Sequence, residues 1–246
     1  MKGKKTLLIL IFCLSLVSFR QMNDKPSFIS DSNNGKQEVS AVTSRQLDAN
    51  NISTWYRTNG SLNRDPSTGN AGFEWPKGSF KYARYASGIW MGCTSGNDTL
   101  TAIAEYSYDY KPGYVDNSGL PQGENDPLYR TYLINRGNTT DPDYLDWPVN
   151  QGAYVNSNGT PFFLGTQTMF YSYTDAYPHE SGSTSLQSLK AQILQTNWCY
   201  TNIGLRDVNF IEFRIINRSG APWVNTYLAF WTDDDLGDAT DDAIGC

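Results

Sequence analysis

From about residue 50 onward, apolar and polar positions alternate with a period of two in several short runs. Leu100, Ala102, Ala104, Tyr106 and Tyr108 fall on one side of an extended segment, with Ile103, Glu105, Ser107 and Asp109 on the other. That period is the signature of a half-buried strand. Residues 85–91 form a second apolar run, and the turn-rich stretch 92–98 between the two predicts a β-hairpin. Residues 129–135 read as another strand. Residues 208–217 and 223–232 predict a further hairpin joined across Arg218-Ser-Gly-Ala-Pro222. In its return strand Val224, Thr226, Leu228 and Phe230 face one way and Trp223, Tyr227 and Trp231 the other, which predicts a central strand covered on both sides. Residues 185–200 fit both periods; their turn-rich flanks favour a strand. Residues 142–148 predict one helical turn, stopped by Pro148.

Many short strands separated by Gly, Pro and Asn predict an all-β fold, an antiparallel β-sandwich of jelly-roll-like form with long loops. Its expected span is residues 49–246. Residues 1–20 read as a secretory signal: Lys2, Lys4 and Lys5 precede an apolar run over residues 6–17, too short to span a bilayer comfortably. No membrane insertion is expected after its removal. Residues 21–48 are polar and poor in large apolar side chains, which predicts a flexible leader.

Charge narrows the partners. Removing residues 1–20 takes Lys2, Lys4, Lys5 and Arg20 from the 19 cations and leaves 15 against 25 acids, a formal charge of −10. Without a basic patch there is no basis for binding nucleic acid. Three cysteines, Cys93, Cys199 and Cys246, remain after export, and their pairing is open. The chain has one His and no CxxC, which excludes a zinc ribbon.

Several phrases occur together in a fixed order: Asp65-Pro-Ser-Thr-Gly69, Gly72-Phe-Glu-Trp-Pro-Lys-Gly78, Gly88-Ile-Trp-Met-Gly92, Ala104-Glu-Tyr106, Tyr132-Leu-Ile-Asn-Arg-Gly137, Asp143-Tyr-Leu-Asp-Trp-Pro-Val149, Phe213-Arg-Ile-Ile-Asn217 and Asp235-Leu-Gly-Asp-Ala-Thr-Asp-Asp242. In combination they resemble the N-terminal region of large bacterial secreted proteins that often end in a type IX secretion sorting domain. The resemblance covers roughly residues 50–246. It implies a secreted or cell-surface location, modular β architecture and a further C-terminal part. It implies no activity and supplies no catalytic residue.

The densest candidate chemistry is at the C-terminal end. Six aspartates lie within residues 233–242, with no cation among them. Their mutual repulsion calls for a counter-ion, and hard oxygen ligands in a short loop suit calcium. Asp233, Asp235, Asp238, Asp241 and Asp242 are the expected ligands of a structural calcium ion, with Gly237 allowing a tight backbone path. The pattern is not that of an EF-hand, because no Glu stands at its twelfth position. The chain stops inside this loop, so the domain is expected to be incomplete at its C-terminus.

Catalysis has weaker support. Glu74, Glu105, Glu212 and the terminal aspartates are candidate acids for a glycoside hydrolase, yet no local pattern singles out a pair. Cross-strand ion pairing is the expected role of Glu105 and Glu212. His179 stands near Ser181 and Ser183 without a GxSxG elbow; a surface-loop histidine is expected. Trp75 and Trp147 each adjoin a proline in a predicted loop, and a flat sugar-stacking platform is their candidate role. The sequence therefore predicts a secreted, non-catalytic, calcium-stabilised module for adhesion or extracellular architecture. Its partner would be an extracellular glycan or a surface protein. A carbohydrate-binding module of a larger secreted enzyme is the alternative, with a glycoside hydrolase behind it.

Overall fold

The computed structural model describes residues 42–179 and 185–236, together with the backbone path of residues 6–11 and 15–21. The strands in chain order are β1 (Thr6–Ile11), β2 (Ser15–Gln21), β3 (Ser44–Leu47), β4 (Thr54–Arg57), β5 (Phe73–Glu74), β6 (Tyr82–Arg84), β7 (Ala86–Ser95) and β8 (Asp98–Ile103). There follow β9 (Lys111–Pro112), β10 (Tyr114–Val115), β11 (Pro121–Gln122), β12 (Tyr132–Asn135), one helical turn α1 (Pro142–Leu145), β13 (Gln167–Thr174), β14 (Ala191–Cys199), β15 (Asn209–Asn217) and β16 (Val224–Asp233). The fold is all-β, built from several sheets that are antiparallel except for one parallel pair. No helix among the described residues is long and apolar enough to cross a membrane.

The large sheet runs β1-β2-β15-β14-β13-β12, with β9 also on β13. Its parallel contact is β15 with β2, within the segment read as an export signal. Every residue of β13 is buried, because both faces of this sheet are covered. On one face, Met169, Tyr171, Tyr173, Ile193, Ile211 and Phe213 meet Ile89, Met91, Cys93, Leu100 and Ala102 in one core cluster. The latter residues belong to a three-stranded sheet of order β16-β7-β8. On the other face, Phe170, Leu194 and Ile216 pack with Tyr132, Ile134, Trp147 and Ala153. Alternation along β13, β14 and β15 divides these two sets of side chains.

The hairpin predicted for β7 and β8 forms, with Trp90 opposite Ile103 and Met91 opposite Ala102. Strand β8 ends at Ile103, however, and Tyr106 lies in the following turn, 51 % exposed. The 185–200 segment resolves as a strand, β14, and α1 forms where the helical turn was expected, its N-cap Asp141 accepting from the Asp143 N–H.

Three expectations fail. Strands β15 and β16 do not form a hairpin: β15 pairs with β14 and β16 with β7, in different sheets. Among the described residues strand β16 is also an edge strand, not a covered central one. Its apolar residues on both faces reflect a core on one side and an exposed aromatic surface on the other. The ordered fold also begins earlier than residue 49. Strand β3 pairs with β4, Leu47 is fully buried, and the side-chain oxygen of Gln167 accepts from the Asp48 and Ala49 N–H groups. Residues 22–41 of the expected leader lie outside the described residues.

The phrase around Asp143 has a structural role. Its carboxylate is buried and accepts from Arg45 Nη2 at 3.0 Å, from Arg130 Nη1, and from the Leu133 N–H at 2.9 Å. One anion thereby ties β3, β12 and α1 together.

Candidate functional site

The acidic loop leaves the end of β16, and neighbours already engage two of its carboxylates. Tyr106 donates its hydroxyl to Asp233 Oδ2. Arg84 Nε pairs with Asp234 Oδ1, so the cation missing from the local sequence comes from β6, 150 residues away. Partial burial and the Asp233 carboxylate push the Tyr106 phenol up. Asp235 is half-buried, while Asp238, Asp241 and Asp242 lie outside the described residues. Among the described residues no group of three or more His, Cys, Asp or Glu side chains is gathered as a metal site.

Trp75 and Trp147 do not form a common platform. Trp147 is only 6 % exposed; it packs against Tyr132 and Phe170 and donates its Nε1 hydrogen to the Tyr154 carbonyl. It is core, because the 136–166 segment covers that face of the large sheet. Trp75 is partly exposed and donates to Asp207 Oδ1 at 2.9 Å, an oxygen that also accepts from Asn51 Nδ2. These two hydrogen bonds hold the Asp207 carboxyl below the usual range.

A different aromatic surface does form. Trp90 on β7 and Trp231 on β16 lie with centroids 6.3 Å apart and planes within 10°. Tyr106 meets Trp231 edge-on at 5.3 Å, and Tyr85 follows at 6.2 Å from Tyr106. The Arg64 guanidinium, 5.7 Å from the Tyr85 ring centroid, ends the row. Alternation places these rings outward, since Ile89, Met91 and Phe230 on the same strands point into the core. Trp90 remains 37 % exposed and Tyr227, further along β16, 75 %. Gly88 stands opposite Trp231 and Gly92 opposite Tyr227, so neither ring has a side chain directly opposite it on β7, and Trp231 stacks diagonally on Trp90. A Cβ at Gly88 would sit 2.2 Å from the Ala104 carbonyl oxygen. The phrase Gly88-Ile-Trp-Met-Gly92 held the signal for this surface, but only the pairing of β7 with β16 brings Trp231 to it.

The candidate catalytic side chains have structural partners. Glu212 accepts from the Tyr154 hydroxyl at 2.8 and 3.0 Å, not from a cross-strand cation, and Glu74 accepts from the Phe80 N–H at 2.8 Å. His179 is not a surface-loop histidine. Its side chain is 1 % exposed and lies between two buried carboxylates, Asp175 and Asp109. Ser181 and Ser183 lie outside the described residues. Cys93 and Cys199 are both buried and unbridged; burial pushes the Cys199 thiol up to about 11, which keeps it protonated and unreactive.

No family model matches this chain, and no curated protein or solved structure matches it either.

Proposed function

We propose that this chain is an extracellular β-sandwich module of adhesion or extracellular architecture, and that it holds carbohydrate on the aromatic row of its three-stranded sheet. The observation that carries the reading is the exposed sequence of rings Trp90, Trp231 and Tyr106, with the Asp233 carboxylate at its side. A pyranose offers an apolar C–H face and a rim of hydroxyls. Aromatic faces beside a few polar groups suit such an amphipathic ligand. A purely apolar partner would leave Asp233 and the Tyr106 hydroxyl poorly solvated.

Calcium belongs to the same proposal. Asp233 and Asp235, with Asp238, Asp241 and Asp242 following, would supply oxygen ligands, while Asp234 is already neutralised by Arg84. The ion would stiffen the end of β16 beside Tyr106 and Trp231 without activating water. Export through the signal at residues 1–20 and display at the cell surface complete the reading.

Retention on immobilised polysaccharides tests it. Trp90→Ala and Trp231→Ala are expected to abolish retention of a chain that still melts cooperatively, and Trp75→Ala to leave it intact. Retention that survives both row substitutions, or no retention of the unsubstituted chain across a broad glycan panel, overturns the proposal. The alternative, a module that delivers a larger secreted enzyme to its polysaccharide, uses the same surface. It is separated by hydrolysis of the retained glycan by the full-length protein.

A further inference from the structure

The edge formed by β16 has a geometry suited to a second copy of itself. Strand β16 pairs only with β7 among the described residues. The Asp233 carbonyl accepts from the Tyr85 N–H, on the β7 side. The Ala104 N–H reaches the Ile89 carbonyl on the opposite side of β7. Since backbone groups alternate in direction along a strand, Tyr227, Ala229, Trp231 and Asp233 spend theirs on β7, whereas Leu228, Phe230 and Thr232 direct theirs outward. No described partner meets those outward groups.

Proteins guard such edges with lysines, prolines, bulges or inward-pointing charges. Strand β16 has an irregularity between Val224 and Tyr227, with Asn225 at φ +50°. Beyond it, Tyr227-Leu-Ala-Phe-Trp-Thr232 contains no charge and no proline. The only residue of the strand that carries a charge at neutral pH is Asp233, at its end.

We propose that two copies of this chain pair antiparallel through β16, in the register centred on Ala229, joining their three-stranded sheets into one six-stranded sheet. Three features select this occupant and register. The outward groups of Leu228 and Phe230 meet those of Phe230 and Leu228 on the other copy, which satisfies both. Leu228 and Phe230 are only half-buried at the margin of the core, and the same two residues of the other copy cover them. On the outer face Tyr227 comes beside Trp231 of the other copy, so the two aromatic rows become continuous. Charge is compatible, because Asp233 faces Asn225 and the two Asp233 carboxylates lie at opposite ends. A two-fold axis through Ala229 makes the contact isologous and self-limiting. The inference does not depend on the identity of the ligand.

The exposed Ala229 methyl provides the test. In this register the two Ala229 residues are a directly opposed, non-hydrogen-bonded pair with Cα atoms about 4.5 Å apart. The experiment is sedimentation equilibrium of the purified chain, alongside Ala229→Lys and Ala229→Glu. The expected result is a dimer for the unsubstituted chain, a halved mass for either variant alone, and recovery of the dimer mass when the two variants are mixed. Circular dichroism and a cooperative melt of each variant establish that the monomers are folded. An unsubstituted chain that remains monomeric throughout the micromolar range overturns the proposal. So does a dimer that persists in Ala229→Lys, which would place the interface elsewhere. Folded monomeric variants that fail to recombine exclude the Ala229 register and also overturn it.

Discussion

The imidazole of His179 lies 3.3 Å, Nε2 to Oδ2, from the carboxylate of Asp175 four residues earlier, and both side chains are sealed from solvent. Nδ1 lies 3.9 Å from Asp109 Oδ2. Each ring nitrogen also faces a backbone carbonyl, Nδ1 that of Ser185 at 2.8 Å and Nε2 that of Asp175 at 3.0 Å. A neutral imidazole has one donor and one acceptor, so one nitrogen would confront a carbonyl oxygen with its lone pair. Only the imidazolium satisfies both contacts. Asp175 in turn accepts from the Leu189 and Ala191 N–H groups, each at 2.6 Å, so the clamp fixes the entry into β14.

This arrangement makes stability depend on pH. Burial alone lowers the His179 pKa, but the hydrogen bond to Asp175 and the charges of Asp109 and Asp175 together raise it above 6.5. A raised folded value means that the contribution is complete below the unfolded value of about 6.5 and is lost as pH rises through the folded one. Cys93 and Tyr110 also feel Asp175; burial and that charge push both upward, so they stay neutral in this window. The melting temperature should therefore fall as pH is raised from 6 towards and past the folded value. His179→Gln should melt lower at pH 6 and lose most of that slope. A thermal scan series over this range checks both, and equal slopes in the two proteins would refute the imidazolium assignment.

Asp143 is the second buried ionic node. Asp143→Ala leaves Arg45, Arg130 and the Leu133 N–H without their common acceptor. Leaving hydrogen-bond donors without their buried acceptor costs about 1–3 kcal/mol, and water reaches the Arg45 and Arg130 side chains, 47 % and 29 % exposed, which places the loss in the lower part of that range. Urea unfolding should show a reduced midpoint with an unchanged slope. A loss below about 0.5 kcal/mol would be the range of an ordinary surface substitution and would mean that water replaces the carboxylate there.

Gly88 tests the packing beneath the aromatic row. A methyl group at this position would meet the Ala104 carbonyl at 2.2 Å, so β7 or the β8 turn must move. Overpacking of this kind costs typically about 1–3 kcal/mol. Gly88→Ala should lower the melting temperature and alter Trp90 and Trp231 fluorescence together. Gly96→Ala, which meets no atom within 4 Å but has φ +61°, should cost only local turn strain and leave the tryptophan signal unchanged.

Calcium gives the fourth prediction. An ion that binds only the folded chain raises its melting temperature with saturation. The purified chain should melt higher in calcium than in chelator, and Asp235→Ala should reduce the difference. Coincident melts in the two conditions would leave the acidic loop as a solvated turn held by Arg84 and Tyr106.

Much of the strand content was legible because its signals are local. The period-two runs and Gly-rich turn of β7 and β8, the turn-flanked apolar run of β14, and the Asp-Pro start and Trp-Pro stop around α1 all act within a few residues of sequence. The β3 strand was missed for the complementary reason: Ser44-Arg-Gln-Leu47 is polar in sequence and becomes a strand by pairing with β4 and burying Leu47.

The sequence by itself determined that the chain is rich in strands and turns, acidic, and aromatic. Tertiary structure alone decided which strands meet, because β15 could equally have turned back onto β16 and instead took β14, leaving β16 for β7 some 140 residues earlier in the chain. The pairing of β16 with β7 set Trp231 beside Trp90, and the packing of residues 136–166 over the large sheet buried Trp147. Tertiary packing also brought Arg84 to Asp234 and set His179 between two carboxylates. Burial and charge pairing depend on what covers a side chain in space, and for these residues the covering groups are remote in sequence or, like Asp175, brought round by the fold.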